Sequence, residues 1–258
     1  MPEHSSWLTL ILSHFKGTLE HNAHVLGDSL QGKAPSWHGF EPLFASLFVL
    51  VVILLVAARV RSRLARTDEA IIPEDSLTLR TFMEAFLGYF YDLAKSIMDA
   101  ERAKKYFPLI GTASIFVFFA NVMALIPGMP VATTNLNITL GCGLVVFVLF
   151  NVYGLMTNGW SYVAHLAGPV WYLYPLMFLI EVISLLVRPV TLAVRLMVNM
   201  AADHLLLGLF LSLVALLVPI PLMLLGCLVV LIQTLVFTML TCIYIGLATE
   251  HEAHGAHH

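Results

Sequence analysis

WYLYPLMFLIEVISLLVRPVTLAVRLMVNMAADHLLLGLFLSLVALLV, residues 171–218, is an almost unbroken apolar stretch in which only Pro175, Pro189 and Gly208 disfavour a helix. At 1.5 Å rise per residue it would make roughly 70 Å of helix, more than twice the ~30 Å of hydrocarbon in a bilayer. One perpendicular crossing cannot hold it. Either Pro189 divides it into two elements, or it is a single bent, steeply tilted helix, since proline is tolerated in membrane helices when neighbours satisfy the freed carbonyl.

The rest of the chain agrees with this membrane setting. Of 258 residues, 59% are hydrophobic and 11% charged, with a net charge of −3 and a mean hydropathy of +0.89. Ordinary soluble domains carry about 25% charged residues, so a soluble globular fold is excluded. Eleven of the thirteen Lys and Arg residues precede residue 106; beyond Lys105 only Arg188 and Arg195 remain, both within apolar sequence. Cys142, Cys227 and Cys242 are far apart, match no ligand spacing and read as reduced packing residues.

Residues 1–40 are polar, with scattered histidines in no metal-ligand pattern, and read as a solvated terminus without a signal peptide. A first span covers Pro42 to Ala58 and ends in Arg59, Arg61, Arg63 and Arg66. By the positive-inside rule these arginines are cytoplasmic and the N-terminus is outside. From Leu77 to Met98, Phe82, Met83, Phe86, Leu87, Phe90, Leu93 and Ile97 recur at helical spacing opposite Arg80, Glu84, Asp92, Lys95 and Asp99, which predicts an interfacial amphipathic helix over about 77–100. A second span over Pro108–Pro127, an outer loop over Gly128–Asn137 and a third span over Ile138–Thr157 follow. After a turn at Pro219-Ile220-Pro221, a last apolar segment ends at Ala248, and a His-rich cytoplasmic tail occupies 250–258. The expected fold is an all-α polytopic membrane protein. It has about five membrane-embedded helices and one interfacial helix in a single domain over 41–249.

The long stretch carries Glu181, Ser184, Arg188, Thr191, Arg195 and Asn199. At 100° per residue all six fall within a stripe about 80° wide centred on Arg195 if the helix continues through Pro189, with Asp203 at its edge, about 80° away, and His204 near 180°. A charge in the membrane costs about 2.5 kcal/mol or more, so such residues mark an ion route or an internal salt-bridge network. Arg188, near a cytoplasmic end, suits a snorkelling or structural role as well as a direct one. Arg195 has no acidic residue within four positions and keeps its proton, so its carboxylate partner is expected from elsewhere, including another subunit. Asp203 and His204 are the titratable neighbours that a proton path uses. In the last helix Gln233 is the informative polar residue, because Thr234, Thr238 and Thr241 can bond their own helix.

The run Ser184-Leu-Leu-Val-Arg188-Pro189-Val-Thr-Leu-Ala-Val-Arg195-Leu-Met-Val-Asn199-Met200 resembles the a subunit of F-type ATP synthases, whose penultimate helix carries an obligatory Arg followed four residues later by Asn-Met. Asn121 before Leu125-Ile126-Pro127, the run Asn135-Leu-Asn137-Ile-Thr139-Leu140, and Gln233 with Leu240-Thr241-Cys-Ile-Tyr244 extend the resemblance over about residues 40–250. It implies a non-catalytic stator of the Fo motor in a bacterial inner membrane. The long, tilted last two helices would pack as a hairpin against a ring of c subunits. The other partners would be the b-subunit peripheral stalk, the remaining F1Fo subunits and lipid. No cofactor, metal or nucleic acid is implied, and ATP chemistry lies on other subunits. A proton would enter by an outer half-channel, neutralise a ring carboxylate and leave by an offset inner half-channel. Arg195 would pair with the deprotonated carboxylate and keep the half-channels apart.

By the same resemblance Glu181 matches an inner-side carboxylate, Asn199 and Gln233 match polar neighbours of the Arg, and His204 matches an outer-channel position that is often Glu or His. Arg188, Ser184, Asn121, Asn137 and Tyr244 are secondary candidates. The sequence departs from the pattern at Gly226, where the complementary Glu or His commonly stands, at Asp203, usually a small residue, at Ala124, often an acid, and at Asn135, often Asp. Asp203 is therefore expected to supply the missing carboxylate, in a relay with His204. The rival reading is a self-contained transporter or channel binding a small anion at Arg195. An intramembrane enzyme lacks any HExxH, paired-Asp or Ser/His motif.

Overall fold

The structure, a computed structural model, describes residues 14, 17, 41–64, 78–126, 129, 133, 135–159, 174–213 and 219–249. The polar stretch 1–40, apart from residues 14 and 17, and the tail 250–258 lie outside the described residues. Among the described residues six long helices carry the fold: α1 (Glu41–Leu64), α2 (Leu79–Ile97), α3 (Ala100–Ala124), α4 (Leu136–Asn158), α5 (Tyr174–Leu213) and α6 (Pro219–Ala248). All but α2 are long and apolar enough to cross a membrane. Large aliphatic side chains such as Leu54, Leu55, Leu224 and Leu228 lie on the outside. That is unfavourable in water and ordinary against lipid.

Local chemistry sets the helix ends. Thr78 caps α2 by accepting from the Thr81 N–H, Asn135 caps α4 by accepting from the Asn137 N–H at 3.0 Å, and Gly159 ends α4 with φ of +56°. Helix α3 starts earlier than expected and carries Pro108 inside it. Pro219, expected in a turn, opens α6 instead. Proline fits a first helical turn because the N–H it lacks has no partner there. Helix α5 runs unbroken through Pro189, which decides between the two readings of that stretch. At 40 residues it is about 60 Å long, so only a steep tilt keeps it within the hydrocarbon.

Helix α2 lies antiparallel along α3 on an aromatic seam: Tyr91 meets Phe107 at 5.0 Å, and Phe86 and Phe82 meet Phe118 at 4.9 and 5.9 Å. Its Glu84, Asp92 and Lys95 are exposed, as their periodicity predicts. Arg80 is the exception: it is buried and donates to Glu84 at 2.8 Å. At one end of the bundle Arg102 and Asn158 donate to the Gly246 and Ala248 carbonyls at the close of α6, at 3.5 and 3.3 Å. Tyr106 and Thr157 are hydrogen-bonded across the same end at 2.9 Å. These bonds give partners to carbonyls that a helix terminus leaves open. At the opposite end Leu125 of α3 packs on Gly226 of α6. Helices α5 and α6 run antiparallel between these ends.

Candidate functional site

Leu185, Pro189, Leu192, Ala193, Leu196 and Met200 bury one face of α5. The polar stripe occupies a different face. Ser184, Thr191 and Arg195 are exposed among Val187, Val194 and Val198, so the stripe does not look into the chain's own core. Among the described residues Arg195 has neither an ion pair nor a hydrogen bond. An unpartnered guanidinium on an apolar membrane face is held at a cost of several kcal/mol unless something else covers it.

One turn beyond Arg195 the stripe meets α6. Asn199 Nδ2 donates to Gln233 Oε1 at 2.8 Å, joining the two helices beside the arginine. Asp203, one turn further, is half-buried and borders two spaces. One opens beside Asn199, Ala202, Ile232 and Gln233 and has a volume of about 270 Å³. The other is a narrow cavity of about 30 Å³ among Asn121, Ala124, Leu125, Asp203 and Gly226. That is room for about two waters. Asp203 is the only ionisable side chain among the described residues lining either space.

The narrow cavity contains unmet hydrogen-bonding capacity. Asn121 is fully buried, yet neither its amide oxygen nor its amide nitrogen has a partner among the described residues, and the same is true of Asp203 Oδ2. Buried polar atoms left unpaired cost about 1–3 kcal/mol each. A small side-chain movement would open these atoms, each shut off from solvent, to water in the cavity. Gly226 shapes the wall, because a Cβ there would lie 2.5 Å from Leu125 Cδ1. Leucine thus fills the place a side chain at 226 would occupy.

A second group forms seven residues before Arg195. Arg188 pairs with Glu181 at 3.5 Å and lies 5.2 Å from the centre of the Tyr244 ring, which packs on Phe150. Arg188 thus has partners within the chain, and its contact with Tyr244 joins α5 to α6. Thr191 bonds the Arg188 carbonyl, and Thr234, Thr238 and Thr241 bond their own helix. Asn137 sits exposed in the first turn of α4 and lines neither space. His204 belongs to α5, but its side chain lies outside the described residues.

Residues 43–246 match the family described as ATP synthase A chain. The chain belongs to that family. It is 57% identical to ATP synthase subunit a of Sorangium cellulosum (strain So ce56) over 98% of this chain and all of that protein. It is 39% identical to ATP synthase subunit a of Geobacter sulfurreducens over 81% of this chain and 88% of that protein. It is 37% identical to ATP synthase subunit a of Trichlorobacter lovleyi over 95% of this chain and 98% of that protein. With its five apolar spans, this member of the ATP synthase A chain family is a multi-pass membrane protein.

Three of the four positions at which the sequence departs from the family pattern, Ala124, Asp203 and Gly226, line the one narrow cavity. Their separation along the chain hid this. Sequence reasoning also missed the packing of Leu125 over Gly226, and Gly143, which meets the Pro189 carbonyl. Both depend on how helices cross, and neither residue carries chemistry that flags it in the sequence.

Proposed function

We propose that the chain is the non-catalytic proton-channel stator of an Fo motor in a bacterial inner membrane. The observation that carries this reading is Arg195. Among the described residues it is the one cation of the stripe without a partner, and it stands on an outward apolar face one turn from two spaces that share a single carboxylate, Asp203. The partner that covers it is a ring of c subunits. A ring carboxylate pairs with Arg195 when deprotonated and leaves when protonated. The peripheral stalk and the F1 sector hold this stator against the turning ring and carry out the ATP chemistry.

A proton enters from the outer face through the cavity of Asn121, is held by Asp203, and passes by the opening at Asn199 and Gln233 to the ring. His204 joins Asp203 in this outer relay. Glu181, at the other end of the stripe, receives protons on the inner side. The two acids are separated along α5 by Arg188 and Arg195, whose fixed charges repel a proton moving straight along the helix. The N-terminal segment 1–40 is outside and the tail 250–258 is cytoplasmic. The reading as an anion transporter is less well supported, because the ionisable group lining the route is an acid.

Exchange of Arg195 for alanine tests the proposal. Assembled complexes carrying Arg195→Ala should lose ATP-driven proton pumping and ATP synthesis while their amount in the membrane stays near normal. Coupled pumping by that variant would overturn it. Cysteines along the 195–210 face should form disulfides with a ring helix, and their failure to do so would favour the lone transporter.

A further inference from the structure

Among the described helices the most extensive interface joins α4 to α5, and within it Gly143 lies close against the backbone of Pro189. Pro189 has no N–H, so the Leu185 carbonyl lacks its usual intrahelical donor at the point where α5 must bend. At that point the Pro189 carbonyl oxygen lies against Gly143, and a Cβ on Gly143 would stand 2.8 Å from it and 3.5 Å from the carbonyl carbon. Since ordinary contact begins near 3.4 Å, adding a methyl group requires a separation of about 0.6 Å. The obstacle is backbone, which has no rotamer by which to move aside. Val146 and Phe150, three and seven residues on from Gly143, continue the contact into the buried cluster with Leu185, Leu192 and Leu196. Gly141, two residues before, has nothing within 4 Å of an added Cβ.

We infer that the Gly143–Pro189 contact is the pivot that sets how far Arg195 stands out from the bundle, making Gly143 a positioning residue for ion translocation. Arg195 is six residues past Pro189, about 9 Å along the helix and about 120° around it, on the exposed side. Anything that wedges α5 away from α4 at Pro189 moves Arg195 toward its partner, because both belong to one continuous helix. The inference rests on Arg195 facing a ring. A misplacement of 1 Å can cost about 10²-fold in a positioned reaction, so ~0.6 Å predicts a loss of about tenfold.

The test uses the assembled complex in vesicles, with Gly143→Ala, Gly143→Ser and the control Gly141→Ala, each with and without Val198→Cys as a disulfide reporter toward the ring. In the Gly143 variants, ATP-driven proton pumping per assembled complex should fall about tenfold, and the rate of Val198→Cys disulfide formation with the ring should change. Gly141→Ala should leave both as in the parent complex. A merely structural glycine would lower the amount of complex and leave pumping per complex and the crosslinking rate alone. That result overturns the inference, as does unchanged pumping in Gly143→Ala. If Arg195→Ala still pumps, the ring-facing reading itself has failed. If Arg195→Ala is inactive while Gly143→Ala behaves as the parent, only the pivot has.

Discussion

Asp203→Asn isolates the proton-carrying capacity of the cavity from its shape. Asparagine preserves the outline of the side chain, so the ~30 Å³ space and its walls at Asn121, Ala124 and Gly226 remain. Asp203 Oδ2 has no partner among the described residues, so its loss breaks no hydrogen bond among them, and the amount of assembled complex should hold. The ability to take up and release a proton does disappear, and no other described residue lining either space can supply it. A positioned acid–base group contributes about 10²–10⁴-fold to proton transfer. Passive proton conduction through the membrane sector, measured per complex in vesicles at a fixed potential, should therefore fall by about 10²-fold. Asp203→Glu keeps the carboxyl and should retain conduction within about tenfold, set by the fit of one methylene group. Asp92→Asn, on the exposed face of α2, serves as the control, because its only hydrogen bond described is to Lys95. Conduction by Asp203→Asn within about threefold of the parent, well short of the magnitude expected for a lost acid–base group, would refute the relay.

Gln233→Leu removes the acceptor for Asn199 Nδ2, but the adjacent opening lets water replace it. Conduction in the same vesicles should fall severalfold, less than for Asp203→Asn. Arg188→Met breaks the pair with Glu181 and the contact with Tyr244. The pair is partly exposed, so the loss is about 1 kcal/mol or less, read as earlier thermal dissociation of the purified complex, and Arg188→Lys should recover most of it. Asn158→Ala takes a hydrogen bond from the Ala248 carbonyl, at a cost of about 1 kcal/mol, and should loosen the end of α6 in hydrogen exchange without changing conduction.

The sequence makes α5 visible because few residue types interrupt it, and its stripe follows from helical periodicity alone. Periodicity fixes angles only relative to one another. It cannot say that the Arg195 side is open while the Pro189 side is packed, because that depends on which face α4 covers. Proline at 189 was ambiguous for a related reason: the neighbours that make a membrane proline tolerable come from other helices. Gly143 is one such neighbour, 46 positions away in the chain. Arg80 defeated periodicity too. Its spacing assigns it to the charged face of α2, while Glu84, one turn on, provides the hydrogen bond that permits its burial. The narrow cavity was legible only as a set of separate departures at positions 124, 203 and 226, which the packing of α3, α5 and α6 brings to one wall.

Arg188 and Arg195 have the same side chain, the same helix and nearly the same face, yet the chain treats them differently. Arg188 has an anion and an aromatic ring within its own fold. Arg195, about 10 Å further along α5, has neither and stands among valines. A permanently satisfied arginine cannot exchange partners without first breaking a bond, so it serves to hold helices together. An arginine left unsatisfied lowers its energy when a carboxylate arrives and raises it when the carboxylate leaves, and protonation of that carboxylate weakens the pair by removing its charge. Driving that cycle takes work of about 2.3 kcal/mol per charge for each 100 mV, comparable to what a membrane arginine gains from a partner. On the proposed stator reading, the lack of an ion pair or hydrogen bond to Arg195 among the described residues keeps that cycle reversible, and a carboxylate engineered within reach of it on α6 should arrest translocation by supplying one.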